Sequence, residues 1–113
     1  MKAVTKITFL DDQGEKFFGE GPARLLLTVD KTGSLRAAAM SMGMAYTKAL
    51  KLIRNAETAL AIPLISRCAG GKDGGGSCLT EEGKEWLQRY ENYRDACKEA
   101  NSKLYLEFFP EKR

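Results

Sequence analysis

The chain has 113 residues, of which 43% are hydrophobic and 29% are charged, and its formal net charge is +3. This length suffices for one domain with a buried core but not for two. No apolar run approaches the roughly 18 residues of a membrane span, and the N-terminus lacks the apolar stretch of a secretion signal. Three cysteines and no histidine favour reduced thiols, so we expect a cytoplasmic protein.

The positive charge is concentrated in the middle of the chain. Residues 34–79 contain six basic and two acidic side chains, a net charge of +4, whereas residues 1–33 are neutral and residues 80–113 carry −1. A local basic region is what a polyanionic partner requires.

The first 60 residues predict a β-hairpin followed by three helices. In residues 1–19, β-forming residues flank the turn sequence "DDQG", with Ile7 and Phe9 on one face. In residues 21–60, Gly33 and Gly43 are placed to end the first and second helices, and Ser34 is placed to cap the second. Two short helices joined by a glycine turn indicate a helix-turn-helix motif.

The third helix, from about Ala45 to Leu60, has two different faces. Its predicted inner stripe is Ala49, Leu52, Ile53, Ala56 and Leu60, at helical spacing. Its predicted outer face carries Tyr46, Thr47, Lys48, Lys51 and Arg54. Such a helix can lie in a DNA major groove.

The stretch "CAGGKDGGGSCLT" lies within a predicted second hairpin, residues 62–80. Its backbone at Gly70, Gly71, Gly74, Gly75 and Gly76, together with Lys72, is suited to contact phosphate. In a winged helix-turn-helix a hairpin in this position forms the wing beside the DNA groove. Two alternatives are a nucleotide-binding loop and a hairpin tip without contacts. A Walker-type loop ends in Gly-Lys-Ser/Thr, whereas Lys72 is followed by Asp73.

Cys68 and Cys78 flank this loop, and we expect them to lie opposite each other in the hairpin. They are interpreted as small strand residues, with a redox disulfide as the alternative. A zinc site would need further ligands that the sequence does not place nearby. No catalytic constellation, metal site or cofactor is predicted.

Residues 80–109 predict one long helix capped by Thr80, in which Gly83 is a small penalty. Its apolar positions follow a heptad pattern, which is typical of a helix that packs along another helix. These predicted dimer-interface residues are Trp86, Tyr90, Tyr93, Cys97, Ala100 and Leu104.

From Gly33 to Thr80, the order "GSLRAAA…G…Y…A…I…E…PL…R…GG…LT" resembles the winged helix-turn-helix of LysR-type regulators. The segments "AGGKDGGGSCLTEEG" and "GMAYTKALKLI" are more similar still to the N-terminal DNA-binding domain of the ModE family of molybdate-responsive repressors. The resemblance implies a homodimer formed through the long helix, with DNA contacts from the third helix and the wing. Because the family's molybdate-binding domains do not occur in these residues, no small-molecule effector is expected here.

The prediction is therefore an α+β winged helix-turn-helix with an N-terminal hairpin and a C-terminal dimerisation helix. We expect it to bind double-stranded DNA as a transcriptional regulator and not to be an enzyme or a membrane protein. The alternative is a protein-interaction module that pairs with a sensor-bearing partner and binds DNA weakly. The predicted DNA contacts are Ala45, Tyr46, Thr47, Lys48, Lys51, Arg54, Arg36, Arg67 and Lys72. For Arg54, a salt bridge with Glu57 is an equal alternative.

Overall fold

In the computed structural model, which describes residues 1–69 and 76–110, the chain forms four helices and two separate antiparallel hairpins. The first hairpin pairs β1 (Phe9–Leu10) with β2 (Lys16–Phe18), and the helices α1 (Glu20–Thr32), α2 (Leu35–Ser41) and α3 (Tyr46–Leu60) follow. The second hairpin pairs β3 (Ile65–Cys68) with β4 (Gly76–Leu79), and α4 (Glu81–Phe108) comes last. This is the predicted α+β fold. None of the helices in the described ranges is long and apolar enough to span a membrane.

The N-terminal hairpin is shorter than the predicted 1–19. Its turn is closed by the Asp11 carboxylate, which accepts the N–H groups of Gln13 and Glu15, both at 2.9 Å. Residues before Phe9 form no strand, and some of their carbonyl groups accept hydrogen bonds from side chains of α4. Tyr105 Oη donates to the carbonyl of Met1 at 2.8 Å, and Tyr90 Oη donates to that of Ile7 at 2.9 Å.

The predicted end of α1 and the predicted start of α2 are confirmed. Gly33 adopts a left-handed conformation with φ of 72°, and its N–H donates to the carbonyl of Val29 at 2.8 Å. Ser34 caps α2 by accepting the N–H of Ala37 at 3.0 Å. These two residues set the sharp change of direction between the helices.

The core lies between α1, α2, α3 and the start of α4. The buried residues of the first three helices are Ala23, Leu25, Leu26, Val29, Leu35, Ala38, Ala39, Ala49, Ile53 and Ala56. Of the stripe predicted on α3, Leu52 and Leu60 are half-buried. Small alanines on α2 and α3 allow these short helices to approach closely, which holds α3 against the core by one face.

Leu64 connects α3, the second hairpin and α4. Its N–H donates to Glu57 Oε2 at 2.8 Å, and its carbonyl accepts the N–H of Thr80 at 3.0 Å. Thr80 Oγ1 donates to the Pro63 carbonyl at 2.6 Å and accepts the N–H of Gly83 at 2.9 Å, as an N-cap of α4. The ends of the three elements are thus joined within one hydrogen-bonded cluster.

The interpretation of Gly83 as a mere penalty is wrong. Gly83 is buried, and a Cβ added to it would overlap with the carbonyl oxygen of Leu64. A glycine is required here because the α4 backbone crosses directly over the start of the second hairpin.

Only the first part of α4 packs on the core. Leu87 and Tyr90 are its last buried residues, and the 18 residues that follow Tyr90 extend the helix by about 27 Å, to Phe108. Tyr90 Oη also donates to Glu20 Oε1 at 3.2 Å. Burial, aided by the Glu20 carboxylate, raises the pKa of Tyr90 to about 12, so the hydroxyl stays protonated and continues to donate.

We predict that Gly83→Ala lowers the free energy of unfolding by about 1–3 kcal/mol, because the added methyl group meets a backbone carbonyl that cannot rotate away. Gly21→Ala in α1 is the matched control, since nothing lies within 4 Å of its added Cβ. The control should be neutral or stabilising by up to about 1 kcal/mol, the helix preference of alanine. Urea denaturation of both variants measures the difference, and equal stabilities would contradict the close approach.

Candidate nucleic-acid interface

The outer face of α3 is basic and exposed. Thr47, Lys48, Lys51 and Arg54 are exposed, as is Ala45 at the N-cap. Ala45 provides no side-chain cap, and the first turn of α3 contains no acidic residue. The start of the helix therefore presents free N–H groups and positive charge outward, which favours an anionic partner.

Tyr46 does not point away from the core as predicted. It is half-buried and packs against the core, and the Arg36 guanidinium carbon lies 4.4 Å from the centroid of its ring. The reason is helical geometry: Tyr46 precedes the buried Ile53 by seven residues, which is close to two full turns. The same spacing in the sequence could have revealed this.

The alternative of a salt bridge between Arg54 and Glu57 is wrong. Glu57 Oε2 instead accepts the N–H groups of Leu64 at 2.8 Å and Ile65 at 3.4 Å. Within the described residues no carboxylate lies within 4 Å of Arg54. Arg54 is thus available to a partner, whereas Glu57 supports the start of the second hairpin.

The second hairpin corresponds to the predicted wing. Its strands pair Arg67 with Ser77 and Cys68 with Gly76, and Arg67 is exposed. Gly76 is a buried residue of β4, at the loop end of the paired strands. The remaining predicted wing contacts, Lys72 with Gly70, Gly71, Gly74 and Gly75, lie outside the described residues.

Cys68 and Cys78 are not paired directly across the hairpin, as the sequence predicts, but lie diagonally on the same face of it. Cys78 pairs with Ser66, whose Oγ lies 3.7 Å from its Sγ, and Cys68 pairs with Gly76. The two cysteines are offset by two residues, and both are free thiols. The neighbouring Cys78 thiol raises the pKa of Cys68, whereas the neighbouring Cys68 thiol and the Ser66 hydroxyl lower the pKa of Cys78.

The wing is fixed to the helix-turn-helix by a backbone hydrogen bond. Ser77 N–H donates to the carbonyl of Gly33 at 2.9 Å, at the turn that precedes α2. Arg36 follows three residues later and contacts Tyr46 at the start of α3. The β4 strand of the wing, the start of α2 and the start of α3 therefore adjoin one another.

Ion pairing differs between α4 and the exposed cations of α2, α3 and β3. The pairs within 4 Å that involve the described residues are Lys84–Glu81, Arg89–Glu85, Arg94–Asp95, Lys103–Glu99 and Arg94–Glu20. All of them lie on α4 or join it to α1. We name Arg36, Lys48, Lys51, Arg54 and Arg67 the basic surface; each is exposed, and none belongs to those pairs.

The predicted heptad seam of α4 is divided between two environments. Tyr90 is buried within its own chain, and its ring centroid lies 5.0 Å from that of Phe18. Trp86 is half-buried, 5.3 Å from the same ring. Their assignment to a dimer interface needs correction, because the aromatic residues of the N-terminal hairpin already pack on them. By contrast, Tyr93 and Leu104 are each 52% exposed.

Residues 23–84, more than half of the chain, match the family described as bacterial regulatory helix-turn-helix protein, lysR family. The chain belongs to the LysR family of bacterial regulatory helix-turn-helix proteins. The family is one of regulators, in agreement with the prediction that the chain is not an enzyme.

Known relatives place this LysR-type chain near ModE, as its wing and third helix predict. It is 36% identical over 66 residues to the molybdenum-pterin-binding protein MopB of Rhodobacter capsulatus, covering 58% of this chain and 24% of MopB. It is 36% identical over 67 residues to the transcriptional regulator ModE of Yersinia pestis, and the match covers 59% of this chain and 26% of that ModE. For ModE of Haemophilus influenzae the identity is 34% over 91 residues, and the match covers 80% of this chain and 36% of that ModE. The chain thus matches only about a quarter to just over a third of the length of these relatives.

A solved structure supports the fold. The LysR family transcriptional regulator VV2_1132 superposes with a TM-score of 0.60 at 19% sequence identity, over 80% of this chain and 30% of that one.

We predict that Glu57→Ala lowers the free energy of unfolding by about 1–3 kcal/mol, because it leaves the Leu64 N–H without an acceptor. Arg54→Ala should change stability by less than about 0.5 kcal/mol, as for an exposed side chain outside any network. Thermal denaturation of both variants is the measurement. Equal destabilisation by the two changes would instead support an ion pair between Arg54 and Glu57.

Proposed function

We propose that this LysR-type chain binds double-stranded DNA as the DNA-binding part of a transcriptional regulator. The observation that carries the proposal is the basic surface, whose five cations have no acidic partner within 4 Å among the residues that the structure describes. Surface cations grouped in this way attract the phosphate backbone and release its counterions on binding.

The helix α3 is the element proposed to enter the major groove. Its 15 residues span about 22 Å, and a B-DNA major groove is about 12 Å wide and admits one helix. Among the predicted contacts, Thr47 and Lys51 lie most nearly opposite the buried face, with Lys48 to one side and Arg54 to the other. Hydroxyl and ammonium groups at these positions suit contacts with base edges and phosphates.

The wing is proposed to contact phosphates beside that groove. Arg67 is exposed on β3, and the hydrogen bond between Ser77 and Gly33 fixes the β4 strand of the wing relative to α2. Lys72 and the glycine amides are assigned to the same role from the sequence alone.

The relatives support DNA binding and leave effector binding outside this proposal. Two of them are named transcriptional regulators, and MopB is named a molybdenum-pterin-binding protein. The matched part is a minor fraction of each relative, and the family match over residues 23–84 of this chain contains the helix-turn-helix. The proposal therefore concerns DNA and not molybdenum.

We also propose that the chain forms a homodimer through α4. The helix is about 42 Å long and extends past the core, and its apolar residues Tyr93, Cys97, Ala100 and Leu104 follow one another at intervals of four, three and four. Tyr93, Ala100 and Leu104 are exposed. Tyr90 and Asn101 lie on the face of α4 that is turned towards the core and the N-terminal segment. The stripe lies on a neighbouring face, where a second copy can pack on it.

The DNA proposal predicts binding whose affinity falls steeply with salt, measured by fluorescence anisotropy of a labelled duplex between 50 and 200 mM salt. Lys51→Ala should weaken binding and reduce the slope of log affinity against log salt by about one, because one phosphate contact is lost. Lys98→Ala, which removes an exposed charge from α4, is the control and should keep the wild-type slope. No binding at 50 mM salt would favour the protein-interaction alternative. Equal effects of Lys51→Ala and Lys98→Ala on DNA binding would contradict the assignment of the DNA contact to the outer face of α3.

The dimer proposal predicts that Leu104→Asp yields monomers in sedimentation velocity, because it places a charge within the apolar stripe. Ser102→Asp, on an exposed position turned away from the stripe, should sediment as the wild-type protein does. A wild-type monomer, or a Leu104→Asp dimer, would contradict an interface through this part of α4.

A further inference from the structure

Arg36 and Tyr46 form a stacked pair at the junction of α2 and α3. The guanidinium carbon lies 4.4 Å from the ring centroid, within the range of a cation–π contact. Arg36 is exposed, whereas Tyr46 is half-buried and packed against the core. The ring is thus a fixed platform and the guanidinium is the group that it presents to solvent.

This arrangement matters for recognition because a free arginine side chain has many rotamers. Binding a phosphate restricts them, and the entropy lost reduces affinity. A guanidinium already stacked on a fixed ring loses less conformational entropy when it binds. Stacking also leaves the N–H groups along its edge free to donate to phosphate oxygens.

The position of Arg36 identifies which part of a DNA duplex it would meet. It lies in the first turn of α2, three residues after Gly33, whose carbonyl accepts the N–H of Ser77 in the wing. On its other side is the first residue of α3. Arg36 therefore stands between the helix proposed for the major groove and the β4 strand of the wing, where the backbone of the DNA runs. In the described parts of the chain no carboxylate lies within 4 Å to compete for it.

We propose that Tyr46 is a positioning residue that holds Arg36 over its ring, ready to bind the DNA phosphate between the major groove and the wing. This inference rests on the proposed function and deepens it. Tyr46 then acts through its ring face, and its hydroxyl does not contact a base. The aromatic character at this position is what matters for affinity.

The test is a double-mutant cycle on DNA affinity and its salt dependence, using anisotropy of a duplex at a temperature where every variant is folded. Arg36→Ala should weaken binding and lower the salt slope by about one. Tyr46→Phe should bind as the wild type does, because it keeps the ring. Tyr46→Leu should weaken binding by about two- to fivefold, the value of an exposed cation–π contact.

The decisive comparison is Tyr46→Leu in the two backgrounds. If the ring acts through Arg36, Tyr46→Leu weakens binding in the wild type but has no further effect once Arg36→Ala is present. A merely structural role would weaken binding by the same factor in both backgrounds and would overturn the inference. A loss in Tyr46→Phe equal to that in Tyr46→Leu, with altered base preference, would overturn it in favour of a base contact by the hydroxyl. Absence of wild-type DNA binding would overturn the proposed function itself and this inference with it.

Discussion

The backbone of Leu64 is the constraint that sets α3, the wing and α4 relative to one another. Its N–H is held by Glu57 of α3, its carbonyl accepts the N–H of Thr80, and the same carbonyl requires a glycine at position 83. Because Leu64 is fully buried, these groups cannot turn to water, so breaking any bond leaves a polar group unsatisfied. The helix proposed to bind DNA and the helix proposed to dimerise are therefore held in a fixed relative orientation.

Charged side chains are arranged differently on α4 and on the basic surface. The cations of α4 are mostly paired with acids one turn away, which suits an exposed helix with no polyanionic partner. The basic surface is organised differently, since its arginines and lysines come from α2, α3 and β3 with no acid beside them in the described ranges. Such a surface is electrostatically unfavourable by itself and becomes favourable when phosphates approach. A homodimer through α4 would present two of these surfaces related by two-fold symmetry, which implies a DNA site with matching symmetry.

The sequence predicted the features that are determined locally and missed those that depend on contacts between distant residues. Gly33, Ser34 and Thr80 act as caps because the conformation of a helix end depends on its own few residues. The role of Gly83 could not be found in this way, since the Leu64 carbonyl approaches it from another element. The heptad pattern of α4 was recognised, but whether Tyr90 packs within its own chain or on a second copy depends on where Phe18 lies. A salt bridge between Glu57 and Arg54 is only one of two equal alternatives in the sequence, and in the structure the Glu57 carboxylate accepts the buried N–H of Leu64 instead. For the proposed DNA interface, the exposure of Lys48 and Lys51 was predictable, but the stacking of Arg36 on Tyr46 was not.

The central proposal is that α2, α3 and the wing form one DNA-binding face. It is tested most directly by the change in backbone amide resonances when a duplex is added to isotope-labelled protein. If α2, α3 and the wing bind DNA together, the largest changes fall on residues 34–54 and 66–79, with little change in the Asp11–Glu15 turn of the N-terminal hairpin. Changes confined to that turn or to α4 beyond Tyr93, with the basic surface unaffected, would contradict it.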